Sequence, residues 1–324
     1  MSSSGGLLTR PLVVFDRGFR EDVDVLTTKL QSTDAFTVID IANAPTATGI
    51  VRCAKKVLHD GAANLARSIT YAYATHGIKA SGASAGINAE GESRSDAIAK
   101  FVDQIAPLVE VQTLLLDAGK GVATDELAAL AALDKRFAGR VALHDQLLAA
   151  SVASAAAAAR QTLDGLPVCV EDIGPVSTSI AAALVARGAV AQITPTAEAL
   201  VSDAAVLCVG SKVGLIDHDV AAALQTRLVV PIGPLPLTAR GLAVARRAGI
   251  DVLPDFVTTA GPLLANWPAS EDAAALIDDI AQRTTAAVAA VADHPDGHLL
   301  AACFEAERFL ATWVDEMPFG RPLA

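Results

Sequence analysis

The sequence predicts an α/β protein: a Rossmann-like, doubly wound parallel sheet in the C-terminal half, an N-terminal α/β domain before it and C-terminal helices after it. Three observations predict this. From about residue 166 strand-like and helix-like segments alternate, the pattern that builds a parallel sheet covered by helices. Val168–Ile193 reads as strand, tight turn, Ala-rich helix, Gly stop and strand, the skeleton of a dinucleotide-binding βαβ unit. The chain of 324 residues is 52% apolar and only 4% aromatic, enough to build two cores from Ala, Val, Leu and Ile. The expected domains are 1–140 and 141–324, with the boundary near residues 135–145.

The elements follow in order. "PLVVFDR" and "FTVIDIANA" carry the β-branched, alternating residues of strands. Residues 46–77, "TATGIVRCAKKVLHDGAANLARSITYAYATHG", return apolar residues every three or four positions and predict one long helix stopped by Gly77. "IKASGASAGIN" reads as a Gly/Ala/Ser-rich loop. "SRSDAIAKFVDQIAPLV" predicts a helix capped by Ser93 or Ser95, and "VQTLLLDAG" a strand ending at Asp117. Residues 146–165 form an Ala-rich helix closed by Gly165. Beyond it come VCVED, a helix over 177–187, AVAQI, "TAEALV", AVLCVG, "DHDVAAALQ", RLVVPIG, "TARGLAVARRAG" and IDVLPDFV. Two helices, 271–291 and 296–314, close the chain.

The bulk chemistry narrows the function. A formal charge of −11 opposes a nucleic-acid groove, which needs clustered Lys and Arg. Cys53, Cys169, Cys208 and Cys303 are scattered with no C-x-x-C and no His at metal spacing, so neither a disulfide framework nor a metal site is expected. The N-terminus lacks the charged start and apolar run of a signal peptide, and no apolar stretch is long enough to span a bilayer. A reducing cytoplasm fits these features.

Residues 229–264, "VVPIGPLPLTARGLAVARRAGIDVLPDFVTTAGPLL", resemble the glutamate/leucine/phenylalanine/valine dehydrogenase family, where a G-A-N-x-P loop, a helix and PDF-x-A-N-A-G-G follow a strand. "LARSITYAYATHGIKASGASAGIN" is similar to that family's T-Y-K and G-G-G-K-G-G segments, and "LLLDAGKGVATDELAAL" to its E-D-V-G-T segment. The matches run in family order from about Leu58 to Leu264. The resemblance implies an N-terminal domain for substrate and oligomer contacts, a nucleotide-binding domain, a cleft between them, NAD(P) as cofactor and a homo-oligomer, dimer or higher. Its reaction is the oxidative deamination of a small amino acid to the oxo acid.

The residues that carry this chemistry are altered. Ser84 stands where the resemblance places the catalytic lysine, and Ala72, after Thr70-Tyr71, where it places a lysine that holds the substrate carboxylate; Gly82, in the loop with Ser84, is a candidate substrate contact. A hydroxyl is a far weaker base, and loss of a general base costs roughly 10²–10⁴ in rate. Asp117 matches the proton-shuttling aspartate; the alternative is an Asp that starts a turn. Lys79, in the same loop as Ser84, is a candidate substitute cation. In the cofactor loop Asp172 and Ser177 replace the first and third glycines of G-x-G-x-x-G, and Gly174 keeps the second. Asp172 would repel a diphosphate, and no acidic residue follows the second strand to hold a ribose. Thr196 lies there instead and is a candidate phosphate contact. Thr259 keeps only a hydroxyl where the resemblance places an amide. Three functions remain open: a repurposed enzyme acting on a small amino, oxo or imino acid in the cleft, a non-catalytic ligand sensor or partner subunit, and a working NAD(P)-dependent dehydrogenase.

Overall fold

The computed structural model describes residues 19–20, 25–318 and 320–324; the expected strand over 11–17 lies outside them. Two five-stranded sheets divide the molecule into two lobes.

The first lobe holds β1 (Leu26–Lys29), β2 (Ala35–Ile39), β3 (Ala47–Ala54), β4 (Ser81–Asn88) and β5 (Leu114–Ala118), in the order β1-β2-β4-β3-β5. β3 runs parallel to β4 and β5, while β2 is antiparallel to β1 and β4. α1 (His59–Thr75) covers one face and α2 (Arg94–Glu110) the other, which buries Ala83, Ala85, Ile87, Phe101 and Ile105. α2 starts one residue after Ser93, but the Ser93 hydroxyl donates to the Glu90 carbonyl instead of capping the helix.

Two expectations are corrected here. The single helix over 46–77 is strand β3 followed by α1: Thr48, Ile50 and Val51 are β-branched, and two parallel neighbours complete β3's backbone hydrogen bonds. The Gly/Ala/Ser-rich "loop" is β4, buried along most of its length. Its small residues let α1 lie directly on the strand, since a Cβ on Gly82 would strike the Ala66 carbonyl.

In the second lobe α3 (His144–Arg160) leads into β6 (Pro167–Glu171), α4 (Pro175–Val185), β7 (Val190–Thr194), β8 (Val206–Val209), α5 (His218–Ala223), β9 (Leu228–Pro231), α6 (Ala239–Arg247) and β10 (Asp251–Val252). The order β10-β9-β8-β6-β7 is parallel throughout, so the chain reverses direction between β6 and β8. Strands β8 and β9 are wholly buried, as a sheet covered on both faces requires. α3 stops at Gln161, which takes the left-handed φ of 63°, four residues before the expected Gly165. Asp217, Thr238 and Asp272 cap α5, α6 and α7 (Ala273–Ala289) through their side chains. α8 (Gly297–Leu310) closes the lobe, and Met317–Pro318 pairs in parallel with Phe19–Arg20.

α1 belongs to both lobes. Its Tyr71, Ala72 and Ala74 are buried in the core of the second lobe, where the Tyr71 ring meets Phe256 edge-on at 5.6 Å. Ser68 of α1 donates to Asp255 at 2.8 Å, another tie between the lobes.

Candidate functional site

The α1-side face of the first sheet carries two of the expected site positions, Ser84 and Asp117. Register places Val38, Ser84, Ile50 and Asp117 in one row across β2, β4, β3 and β5, and paired residues share a face. Ser84 and Asp117 are therefore two strands apart, about 10 Å at the usual strand spacing. Ile50 between them packs against the cluster of Leu65, Ile69, Tyr73 and Ala80, as does Leu263 of the second lobe. Ser84 is fully buried, and its hydroxyl accepts from Arg52 Nη2 at 3.5 Å. Ala72 is 1% exposed inside the shared core, away from this row. The Gly82 N–H donates to Thr70 Oγ1 at 2.8 Å and its carbonyl accepts from the Asp40 N–H at 3.0 Å, so its polar groups are occupied by the fold. Lys79 is exposed in the turn between α1 and β4 and forms no ion pair among the described residues.

Asp117 anchors two arginines. Its carboxylate accepts from Arg136 Nη1 and Nη2 at 2.9 and 3.1 Å and from Arg140 Nη2 at 2.8 Å. Both arginines also bond Asp134, at 2.7 and 2.9 Å. Burial opposes ionisation in this cluster. For Asp134 the Arg136 hydrogen bonds and charge overcome it and hold the carboxyl low, and for Arg136 the two carboxylates raise the guanidinium further. The cluster continues through Asn266 of the second lobe. Arg136 reaches Asn266 Oδ1 at 3.4 Å, Asn266 Nδ2 donates to the Tyr73 hydroxyl at 2.6 Å, and Tyr73 bonds Thr48 on β3. Burial pushes Tyr73 up to about 12, which keeps it a neutral phenol. Sequence reasoning missed Arg136, Arg140, Asn266 and Tyr73. The only local signal was a pair of arginines four apart behind Asp134, inside the segment read as a domain boundary.

The nucleotide crevice of such a sheet lies at the carboxyl ends of the strands where the order reverses, here β6 and β8. Glu171 fills it from within. Its buried carboxylate accepts from the Gly210 and Ser211 N–H groups at 2.7 and 3.0 Å, from the Ser211 hydroxyl at 2.5 Å and from Thr196 Oγ1 at 2.6 Å. The loop after it is also self-satisfied. Asp172 is exposed and accepts from the Gly174 N–H at 3.0 Å. The Ser177 hydroxyl accepts from the Ile173 N–H at 2.8 Å and donates to the Glu171 carbonyl at 2.9 Å. Pro175 at the first turn of α4 has no N–H to offer. Gly174 takes a φ of 103°, so glycine is needed there for the turn alone: a Cβ would meet nothing. Thr259 donates to the Asp255 carbonyl at 2.8 Å within its own turn. The residues present fit a dinucleotide poorly: the Ile173, Gly174 and Ser177 N–H groups already have partners, Pro175 has none to offer, and two carboxylates stand at the loop.

No family model matches this sequence, and no curated protein matches it. Solved structures do. An L-tryptophan dehydrogenase from Nostoc punctiforme is 18% identical with a TM-score of 0.66, over 89% of this chain and 96% of that one. A hetero-hexameric glutamate dehydrogenase from Thermus thermophilus, in a Leu-bound form, is 18% identical with a TM-score of 0.70, over 88% of each chain. A glutamate dehydrogenase from Peptoniphilus asaccharolyticus is 14% identical with a TM-score of 0.67, over 89% of this chain and 91% of that one. At these identities the likeness is one of fold, along nearly the whole length of each molecule.

Proposed function

We propose that this chain, which has the two-lobed fold of the amino-acid dehydrogenases, binds a small amino or oxo acid between its lobes without nicotinamide-dependent deamination, as a ligand sensor or a partner subunit. The observation that carries this reading is the self-satisfied cofactor loop. Ser177 and Asp172 take the Ile173 and Gly174 N–H groups, and Glu171 takes the donors of the facing loop. A dinucleotide would have to break these bonds and approach two carboxylates, with no lysine near Ser84 to run the chemistry afterwards. Titration of the pure protein with NADH and NADPH, followed by nicotinamide fluorescence, tests it. No enhancement up to millimolar nucleotide is expected; saturable micromolar binding overturns the reading.

Asp117 favours a second reading, a repurposed enzyme, because it shares a sheet face with Ser84. Against it, both Asp117 oxygens are already engaged by guanidinium donors. Oligomer formation belongs to the same proposal. The edge strand β7 and its surroundings expose Val185, Val190, Ile193 and Val201, an apolar edge of the kind that association covers. Among the described residues no helix is long and apolar enough to cross a membrane, and all four cysteines are free and buried, in keeping with a reducing compartment.

A further inference from the structure

The arginines packed around the first lobe are matched to carboxylates, with one exception. Arg67 pairs with Asp40 at 2.7 Å, Arg94 with Glu126 at 2.6 Å, and Arg136 and Arg140 with Asp117 and Asp134. Arg52, half-buried on β3, has no carboxylate partner among the described residues. Its Nε is buried without any hydrogen-bond partner, and its one bond is the long contact from Nη2 to Ser84 Oγ at 3.5 Å. Burial lowers its pKa, with no anion nearby to oppose the shift. A guanidinium withdrawn from water without a counter-charge is unfavourable, and the imbalance is relieved when an anion docks. The planar fork of arginine suits a carboxylate through two parallel bonds.

The surroundings hold this cation in place. Arg52 lies on the face that carries Ile50, Ser84 and Asp117, and its partner on β4 is Gly86, over which the Phe36 ring and Val57 pack. A Cβ on Gly119 would press on Arg52 Cγ at 3.1 Å and Ile50 Cδ1 at 3.1 Å, so a glycine here leaves room for the arginine stem. Asp117, on the same face, is committed to Arg136 and Arg140.

We infer that Arg52, together with the Ser84 hydroxyl, is the receptor for the carboxylate of the cleft ligand, supplying from β3 the positive charge that no lysine supplies at Ser84. The inference rests on the reading of the cleft as a small-acid site. The full-length protein is titrated with acetate, inorganic phosphate, L-leucine, its 2-oxo acid and L-leucinamide, by calorimetry and by NMR of the arginine Nε–Hε resonances. The expected result is a saturable shift of the Arg52 resonance with acetate and with the acids, little binding of the amide, and binding weaker by about 10- to 100-fold in Arg52→Gln than in wild type. Arg52→Lys, which keeps the charge but loses the fork, should fall between them. If Arg52→Gln does not fold, the wild-type resonance decides. Acids that bind Arg52→Gln as tightly as wild type, or an Arg52 resonance that no anion moves, overturn the inference. If leucine binds with indifference to Arg52→Gln, the cleft reading stands and the receptor fails. If acetate moves Arg52 but no amino or oxo acid does, the receptor stands and the cleft reading fails. Phosphate binding in preference to every carboxylate would assign Arg52 to a phosphate and overturn the carboxylate role.

Discussion

Asp255 shows how one residue joins the lobes. It is buried, and burial pushes its carboxyl up, yet it accepts from the Ser68 hydroxyl of α1 at 2.8 Å and from the Leu235 N–H at 2.9 Å. Leu235 sits at a φ of 51°, a conformation a branched side chain rarely adopts, and Asp255 helps to hold it there. Asp255→Ala leaves two buried donors unpartnered and is expected to cost about 2–4 kcal/mol in chemical denaturation. Both bonds end on Oδ2, and the amide oxygen of Asp255→Asn can accept both, so a loss under about 1 kcal/mol is expected. Equal losses for the two variants would show that the hydrogen bonds are not what matters. The sequence singled out Ser84, Ala72, Asp117 and Asp172, and placed Asp255 in a Pro-Asp-Phe run. It could not reveal that Arg52 faces Ser84 across 32 residues of chain, or that Glu171 meets Gly210 across 39. Neither separation leaves a local periodic signal.

At the scale of elements, β4 was the segment most misread. Apart from Ile87 its residues lack the branched and aromatic side chains that mark a strand, because α1 presses directly onto it at Gly82 and only a small residue fits there. The strand exists because β2 and β3 complete its hydrogen bonds on both edges. Gly82→Ala puts a methyl against the Ala66 carbonyl, where backbone rather than a flexible side chain must give way. The expected outcome is a loss of about 1–3 kcal/mol or more, read from the denaturation midpoint. Gly61→Ala on α1, where a Cβ meets nothing, is the control and should be neutral or stabilising. An unchanged midpoint for Gly82→Ala would mean that α1 does not rest on β4 as described. The helices of the second lobe were easier to read because they alternate with apolar strands, and the structure adds side-chain caps from Asp217, Thr238 and Asp272.

For the whole molecule, α1 makes the two lobes one cooperative unit, and its C-terminal end carries a titratable marker. His76 is the C-cap of α1, and its carbonyl accepts from Arg283 of α7 at 3.5 Å. Burial first, and the Arg283 charge second, pull its pKa from 6.5 to about 4, and its Nε2 is buried without a partner. Between those two values the unfolded chain takes up a proton that the folded chain refuses, so stability falls as pH drops through this window, by up to about 3 kcal/mol. The raised pKa values of Asp40 and Asp255 act in the opposite sense, since folding favours their protonated forms. The His76 contribution is therefore read as the difference between wild type and His76→Gln. Wild type should lose stability relative to the variant between pH 6.5 and 4, and parallel curves would rule the effect out.

By itself the sequence determined the alternation of strands and helices that makes the second lobe, because that pattern is written in residues close together along the chain. The tertiary structure alone decided that a Gly/Ala/Ser segment is a central strand, that Glu171 ties Thr196, Gly210 and Ser211 together and that Arg52 stands without a carboxylate partner beside Ser84. Those outcomes depend on which distant backbone supplies a donor, a partner strand or a counter-charge, and only the folded packing brings those groups within reach.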